Sequence, residues 1–183
     1  MRLETSRFSG AHGTELPYMI WAPETMPCMV LQITHGMTEH IGRYTALARE
    51  LTTYGIVVAG FDLRGHGENP SVHGTATLGK TGWEESLRDM HYFRMMLQQK
   101  YPGLPLYMMG FSLGSFLQRE YLNLYKAPAG VILVGTGTQP TPLLSILLKV
   151  IDGILIRLLY FVYPAAYKRP GLRHRRSKAQ SIH

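Results

Sequence analysis

The chain has 183 residues, 45% of them hydrophobic and 17% charged, and a formal net charge of +7. That balance excludes a disordered or collagen-like chain and fits a globular domain with a sizeable core. The single cysteine, Cys28, excludes an internal disulfide framework and an all-cysteine metal cluster, and it fits a reduced, cytoplasmic compartment.

Residues 1–7 hold no apolar run, so no secretory signal is read there. A strand near Tyr18–Trp21 is expected to pair at a sheet edge. Met29–Thr34 reads as a buried strand ending at His35-Gly36. Arg43–Tyr54 reads as a helix with Leu47 and Leu51 on one face, stopped by Gly55. Ile56–Phe61 is the next strand, and a loop rich in Gly, Pro, Ser, Thr and His runs from Arg64 to about Gly82.

Trp83–Lys100 reads as a second helix, with Leu87, Met90, Phe93 (or Arg94) and Leu97 near helical spacing. Tyr101-Pro102-Gly103 breaks it. Leu106–Met109 is a strand, Leu113–Tyr125 a helix and Val131–Val134 a strand. This alternation predicts an α/β fold with a mostly parallel sheet and helices on both faces.

Residues 143–162 are apolar almost all round and nearly long enough to span a bilayer. Lys149, Asp152 and Arg157 lie inside that stretch and argue against a span, since each is costly at bilayer depth. A helix covered by protein or lying on a lipid surface fits better. Residues 168–178 then hold six basic groups, while the rest of the chain has 13 basic against 12 acidic residues. The excess charge therefore belongs to one short stretch. A nucleic-acid-binding face would spread it over a surface or groove, so no nucleic-acid partner is expected.

The chemistry concentrates at Gly110-Phe111-Ser112-Leu113-Gly114. The pattern G-x-S-x-G sits between a strand and a helix, the context of a nucleophile elbow. There a serine stands on a strained turn, and the helix N-terminus behind it favours developing negative charge. Acyl transfer also needs two N–H donors for the oxyanion. Leu113 supplies one, and Met37, in the loop after the Met29–Thr34 strand, is expected to supply the other. His35 precedes the serine in the chain and is read as a brace for its loop.

His35-Gly36-Met37-Thr38-Glu39-His40-Ile41-Gly42-Arg43-Tyr44 resembles the HGxxEHxxRY segment of monoacylglycerol lipases and lysophospholipases, in the α/β-hydrolase superfamily. Asp62-Leu63-Arg64-Gly65-His66-Gly67 resembles that family's DxRGHG loop, and Tyr101–Pro105 followed by the elbow completes the set. The blocks stand in family order from about residue 15 to 136. The resemblance implies an α/β-hydrolase core over residues 1–139 and the start of a helical cap with a basic tail over 140–183. It implies Ser112 as nucleophile, with Met37 and Leu113 as oxyanion donors. His35, Gly36, Glu39, His40, Gly110 and Gly114 would shape the site, and Asp62, Arg64 and His66 would brace the neighbouring loop.

That superfamily orders its triad serine, acid, histidine. After Ser112 only Asp152, His174 and His183 are available, and no strand-like run follows Val134 in which the family would place an acid and a base. The expectation is a chain incomplete at its C-terminal end, lacking the last core strands, with the triad acid and base beyond residue 183. The expected activity of the full-length form is hydrolysis of monoacylglycerol-like or lysophospholipid-like esters. A peptidase or thioesterase on the same fold, or a non-catalytic fragment, stays open. The implied partner is a small lipid-like ester, with peripheral membrane contact through residues 143–162 kept open. No cofactor or metal is expected, since no phosphate loop, zinc spacing or haem motif occurs.

Overall fold

A computed structural model describes residues 1–69 and 78–137. The expected 143–162 helix, Asp152, His174 and His183 lie outside the described residues. Six strands form one sheet in the order β1-β2-β4-β3-β5-β6. They are β1 (Arg2–Ser9), β2 (Glu15–Ala22), β3 (Met29–Thr34), β4 (Ile56–Phe61), β5 (Leu106–Phe111) and β6 (Gly130–Val134). Strands β4, β3, β5 and β6 run parallel, and β1 and β2 are antiparallel additions.

Strands β3 and β4 are the centre because both faces of each are buried. Their residues after the first are buried throughout. Leu31, Ile33 and Val58 face one core with Ile41 and Ala48, and Val30, Val57, Ala59 and Phe61 face the other. Helix α1 (Thr45–Thr53) covers the first face. Helices α2 (Gly82–Lys100) and α3 (Leu113–Leu124) cover the second. This is the alternation of strands and crossover helices that the apolar pattern predicts.

Three expectations are corrected. The strand around Tyr18–Trp21 is β2, and it is not an edge: it pairs with both β1 and β4. The edge is β1, a strand the sequence pattern missed because only Phe8 of its eight residues is buried. Phe8 packs against Phe93 of α2, ring centroids 5.0 Å apart, and against Phe61, 5.1 Å apart. The segment expected to be helical from Arg43 begins as a 3-10 turn, Ile41–Tyr44. Helix α1 buries Ala48 and Thr52, while Leu47 is exposed and Leu51 packs only in part. The small residues let the helix sit close to the sheet, so the face lies one position on from the leucines. Gly55, with φ of +78°, ends α1 as expected.

Candidate active site

Strand β5 meets α3 at Ser112, and the turn is strained. Ser112 has φ of +49° and ψ of −114°, a conformation that costs an L-residue on the order of 1–3 kcal/mol. Its N–H donates to the Val134 carbonyl of β6 (2.8 Å). Its carbonyl accepts from the Ser115 N–H (2.8 Å) and the Ser115 hydroxyl (2.7 Å). The backbone is therefore held from both sides while the residue stays half-exposed. Leu113 is the first residue of α3, a position whose N–H has no carbonyl of its own helix to bond.

Both flanking glycines are required by close approach. A Cβ on Gly110 would collide with the Gly114 carbonyl oxygen. A Cβ on Gly114 would collide with the Thr34 carbonyl oxygen and stand 2.7 Å from that of His35. The elbow thus sits directly on the end of β3, and the loop after β3 lies beside it. A Cβ on Gly36 would come within 3.3 Å of the Phe111 carbonyl oxygen.

That loop, His35–His40, is braced from within. His35 is fully buried. Its Nε2 accepts from the Leu63 N–H (2.9 Å), which leaves the proton on Nδ1, donating to the Gly36 carbonyl (2.7 Å). The Glu39 carboxylate accepts from the Gly36 N–H (3.0 Å) and the Tyr44 hydroxyl (3.1 Å) and pairs with Arg43 (3.3 Å). Met37 is exposed, and Thr38 takes a positive φ of 58° while its hydroxyl caps the Met37 carbonyl (2.6 Å). His40 is exposed, its ring lying across Gly42.

Burial is the main reason that the His35 pKa falls from 6.5 to about 4. The unfolded chain therefore takes up this proton first as the pH drops, and folding stability falls between pH 6.5 and about 4. The expected loss is about 2 kcal/mol between pH 6.5 and 5, above the carboxylate range. Denaturant midpoints of the 183-residue chain and of His35→Gln, compared across that window, check this. A slope equal in the two proteins would contradict it.

The next loop is held as firmly. Asp62 is buried and accepts from the Ile41 N–H (2.7 Å) and the Glu68 N–H (2.9 Å). His66, also buried, donates from Nδ1 to the Arg64 carbonyl (2.9 Å) and lies 5.4 Å from the His35 ring. Arg64 reaches away to Asp89 of α2, with Nε–Oδ2 of 2.6 Å and Nη2–Oδ1 of 3.0 Å. The same guanidinium pairs with Glu85 (2.8 Å) and donates to the Thr14 hydroxyl and the Ala11 carbonyl. Asp89 and Glu85 went unnoticed in the sequence. The available signal was an aspartate on the buried stripe of α2, beside Met90 and Phe93.

The structure thus brings Ser112, Leu113, Gly110, Gly114, His35 and Gly36 together at the ends of β3 and β5. A separate open cleft of about 580 Å³ lies beside the Asp62 loop, lined among others by Arg7, Met19, His40 and Glu68 but not by Ser112. Among the described residues no histidine nitrogen bonds the Ser112 hydroxyl: His35 and His66 are turned to backbone. Also among the described residues, no cluster of three or more His, Cys, Asp or Glu could hold a metal ion, and no helix is long and apolar enough to cross a membrane.

Comparison with known proteins gives this geometry a context. A profile of the family described as serine aminopeptidase, S33, matches residues 25–182. The chain is 28% identical over 151 residues to human monoglyceride lipase, covering 81% of this chain and 48% of that protein. It is 30% identical over 114 residues to a monoacylglycerol lipase of Mycolicibacterium smegmatis, covering 62% of this chain and 39% of that protein. The solved structure of a thermostable carboxyl esterase from Bacillus coagulans, in complex with glycerol, aligns with a TM-score of 0.70 at 30% identity, over 89% of this chain and 55% of that one. The chain spans about half the length, or less, of these two lipases.

Proposed function

Because the chain belongs to the serine aminopeptidase S33 family and has the α/β-hydrolase fold, we propose that it carries the nucleophile and oxyanion donors of a serine ester hydrolase. The observation that carries the reading is Ser112 itself, held at φ +49° where β5 passes into α3, with the Gly36 loop packed beside it. The substrate class on this reading is a monoacylglycerol-like or lysophospholipid-like ester, supported by the names of the relatives. A cytoplasmic location goes with it.

In this mechanism the Ser112 Oγ attacks the ester carbonyl as its proton passes to a histidine. The carbonyl oxygen becomes an oxyanion and accepts hydrogen bonds from the Met37 and Leu113 N–H groups. The histidine returns the proton to the departing alcohol, leaving Ser112 acylated. Water, deprotonated by the same histidine, then releases the acid and restores the serine. Glu39 and His35 hold the Gly36–Met37 backbone for this task.

His35 and His66 bond backbone groups, and among the described residues no histidine nitrogen bonds the Ser112 hydroxyl, so the base and its acid are proposed to come from beyond residue 183. The share of its relatives that the chain spans supports this. The 183-residue chain should accordingly react with a fluorophosphonate at Ser112 on the order of 10³-fold or more slower than the full product of its gene. Ser112→Ala should abolish labelling in both. Fast labelling of the short chain would refute the missing base, and labelling that survives Ser112→Ala would refute the nucleophile. The family's description as serine aminopeptidase favours a second reading, a peptidase. Turnover of aminoacyl amides faster than monoacylglycerols by the full product would select it.

A further inference from the structure

Behind the elbow, β3, α2 and α3 meet at a junction that is polar where a core should be apolar. Gln32 and Thr34 of β3, Ser86 of α2 and Gln118 of α3 are all buried, with at most 1% of their surface exposed. Strand alternation places Gln32 and Thr34 on the same face as Val30, toward α2 and α3. The Gln32 Nε2 donates to the Met90 carbonyl of α2 (3.0 Å), and Ser86 lies one turn before Met90 on that helix.

Helix α3 crosses β3 in the opposite direction, starting where Gly114 rests on the Thr34 carbonyl. One turn later, about 5.4 Å back, comes Gln118. Two residues back along β3, about 6.6 Å, comes Gln32. The two glutamines therefore occupy one level of the packing. Yet Gln32 Oε1, Thr34 Oγ1, Ser86 Oγ and both amide atoms of Gln118 have no hydrogen-bond partner among the described residues.

Native interiors rarely leave such groups unpaired, because each costs about 1–3 kcal/mol. We propose that this junction is an internal hydration site, binding one or two water molecules through Gln32, Ser86 and Gln118. The chemistry matches: a water donates twice and accepts twice. The two amide oxygens accept, while the Gln118 Nε2 and the hydroxyls of Ser86 and Thr34 donate. Gln32 is tied to Met90, so its oxygen is fixed as a rigid ligand. Ser86 forgoes the bond to its own helix backbone that a buried serine usually makes. The water would join the nucleophile's helix to the central strand.

A crystal structure of the 183-residue chain at high resolution tests this. The expected result is ordered water within roughly 2.7–3.2 Å of atoms from at least two of the three elements. A junction free of water, with Gln118 bonded directly to Gln32 or Ser86, would overturn it. Melting temperatures give a second test. Gln118→Leu should melt several degrees lower. The quadruple variant Gln32→Leu, Thr34→Val, Ser86→Ala, Gln118→Leu should recover most of that loss, because none of the four polar side chains is left to hydrate. Losses that simply add would overturn the shared site. If the single variant does not fold, the wild-type crystal structure decides.

Discussion

Replacing Asp89 with asparagine is expected to lower folding stability by about 3–5 kcal/mol, a large share of what a domain of this size possesses. Asp89 is fully buried on α2, and both carboxylate oxygens are engaged by Arg64. One of them also accepts the Ala11 N–H (2.6 Å). The amide keeps the shape but removes the charge, leaving the guanidinium, itself mostly buried, with Glu85 as its remaining charged partner. Glu85 is 20% exposed, so the compensation it offers is weaker. Urea unfolding of the two proteins measures the loss. A drop below about 1 kcal/mol would show that Glu85 alone neutralises Arg64. Removing both partners together, as Arg64→Met with Asp89→Leu, should cost less than removing Asp89 alone, because no charge is then left unpaired.

The same ion pair bears on the site through a chain of contacts. Arg64 joins the turn between β1 and β2 to α2, and thereby fixes the loop that begins at Asp62. From that loop the Leu63 N–H reaches His35, and His35 reaches the Gly36 carbonyl. Asp62 reaches the Ile41 N–H on the far side of the same segment. The proposed donor Met37 therefore lies in a stretch pinned at both ends by groups outside it. Loosening Asp89 should be felt there.

This relay shows where sequence reasoning succeeds and where it stops. The central strands were legible because Met29–Thr34 and Ile56–Phe61 are short, mostly apolar, β-branched-rich runs closed by turn residues, and such runs suit burial on both faces. The elbow was legible because the two glycines and the strand–helix context are local. The edge strand β1 was not, since its pairing with β2 runs through the backbone and Phe8 alone enters the core. Nor was the Arg64–Asp89 pair, whose members lie 25 positions apart and meet the turn at Ala11 78 positions from Asp89. Helical spacing puts Asp89 on the buried stripe of α2, but spacing cannot say which cation waits there. The misplaced face of α1 has the same origin: leucine spacing marks an apolar stripe, while Ala48 and Thr52 show that close packing chose the smaller residues.

Gly114→Ala is expected to separate folding from chemistry most sharply. The added methyl would collide with the Thr34 carbonyl oxygen and press on the His35 carbonyl at 2.7 Å. These are backbone atoms at the end of a central strand: Thr34 is paired with Gly110 of β5, and His35 is tied by its ring to the Leu63 N–H, so they resist moving aside. Helix α3 must retreat instead. Overpacking of this kind costs about 1–3 kcal/mol, which the fold can survive. The retreat carries Ser112 and the Leu113 N–H with it, because both belong to the head of α3. A displacement near 1 Å at reacting atoms costs about 10²-fold. The full gene product bearing Gly114→Ala should therefore lose about 10²-fold or more in kcat for its ester substrate, with KM little changed. Ser112→Ala provides the control, since it removes the nucleophile without touching the packing. Unchanged kcat in the alanine variant would mean that the approach of α3 to β3 does not set the position of Ser112, and the geometric basis for reading this turn as a nucleophile elbow would fail.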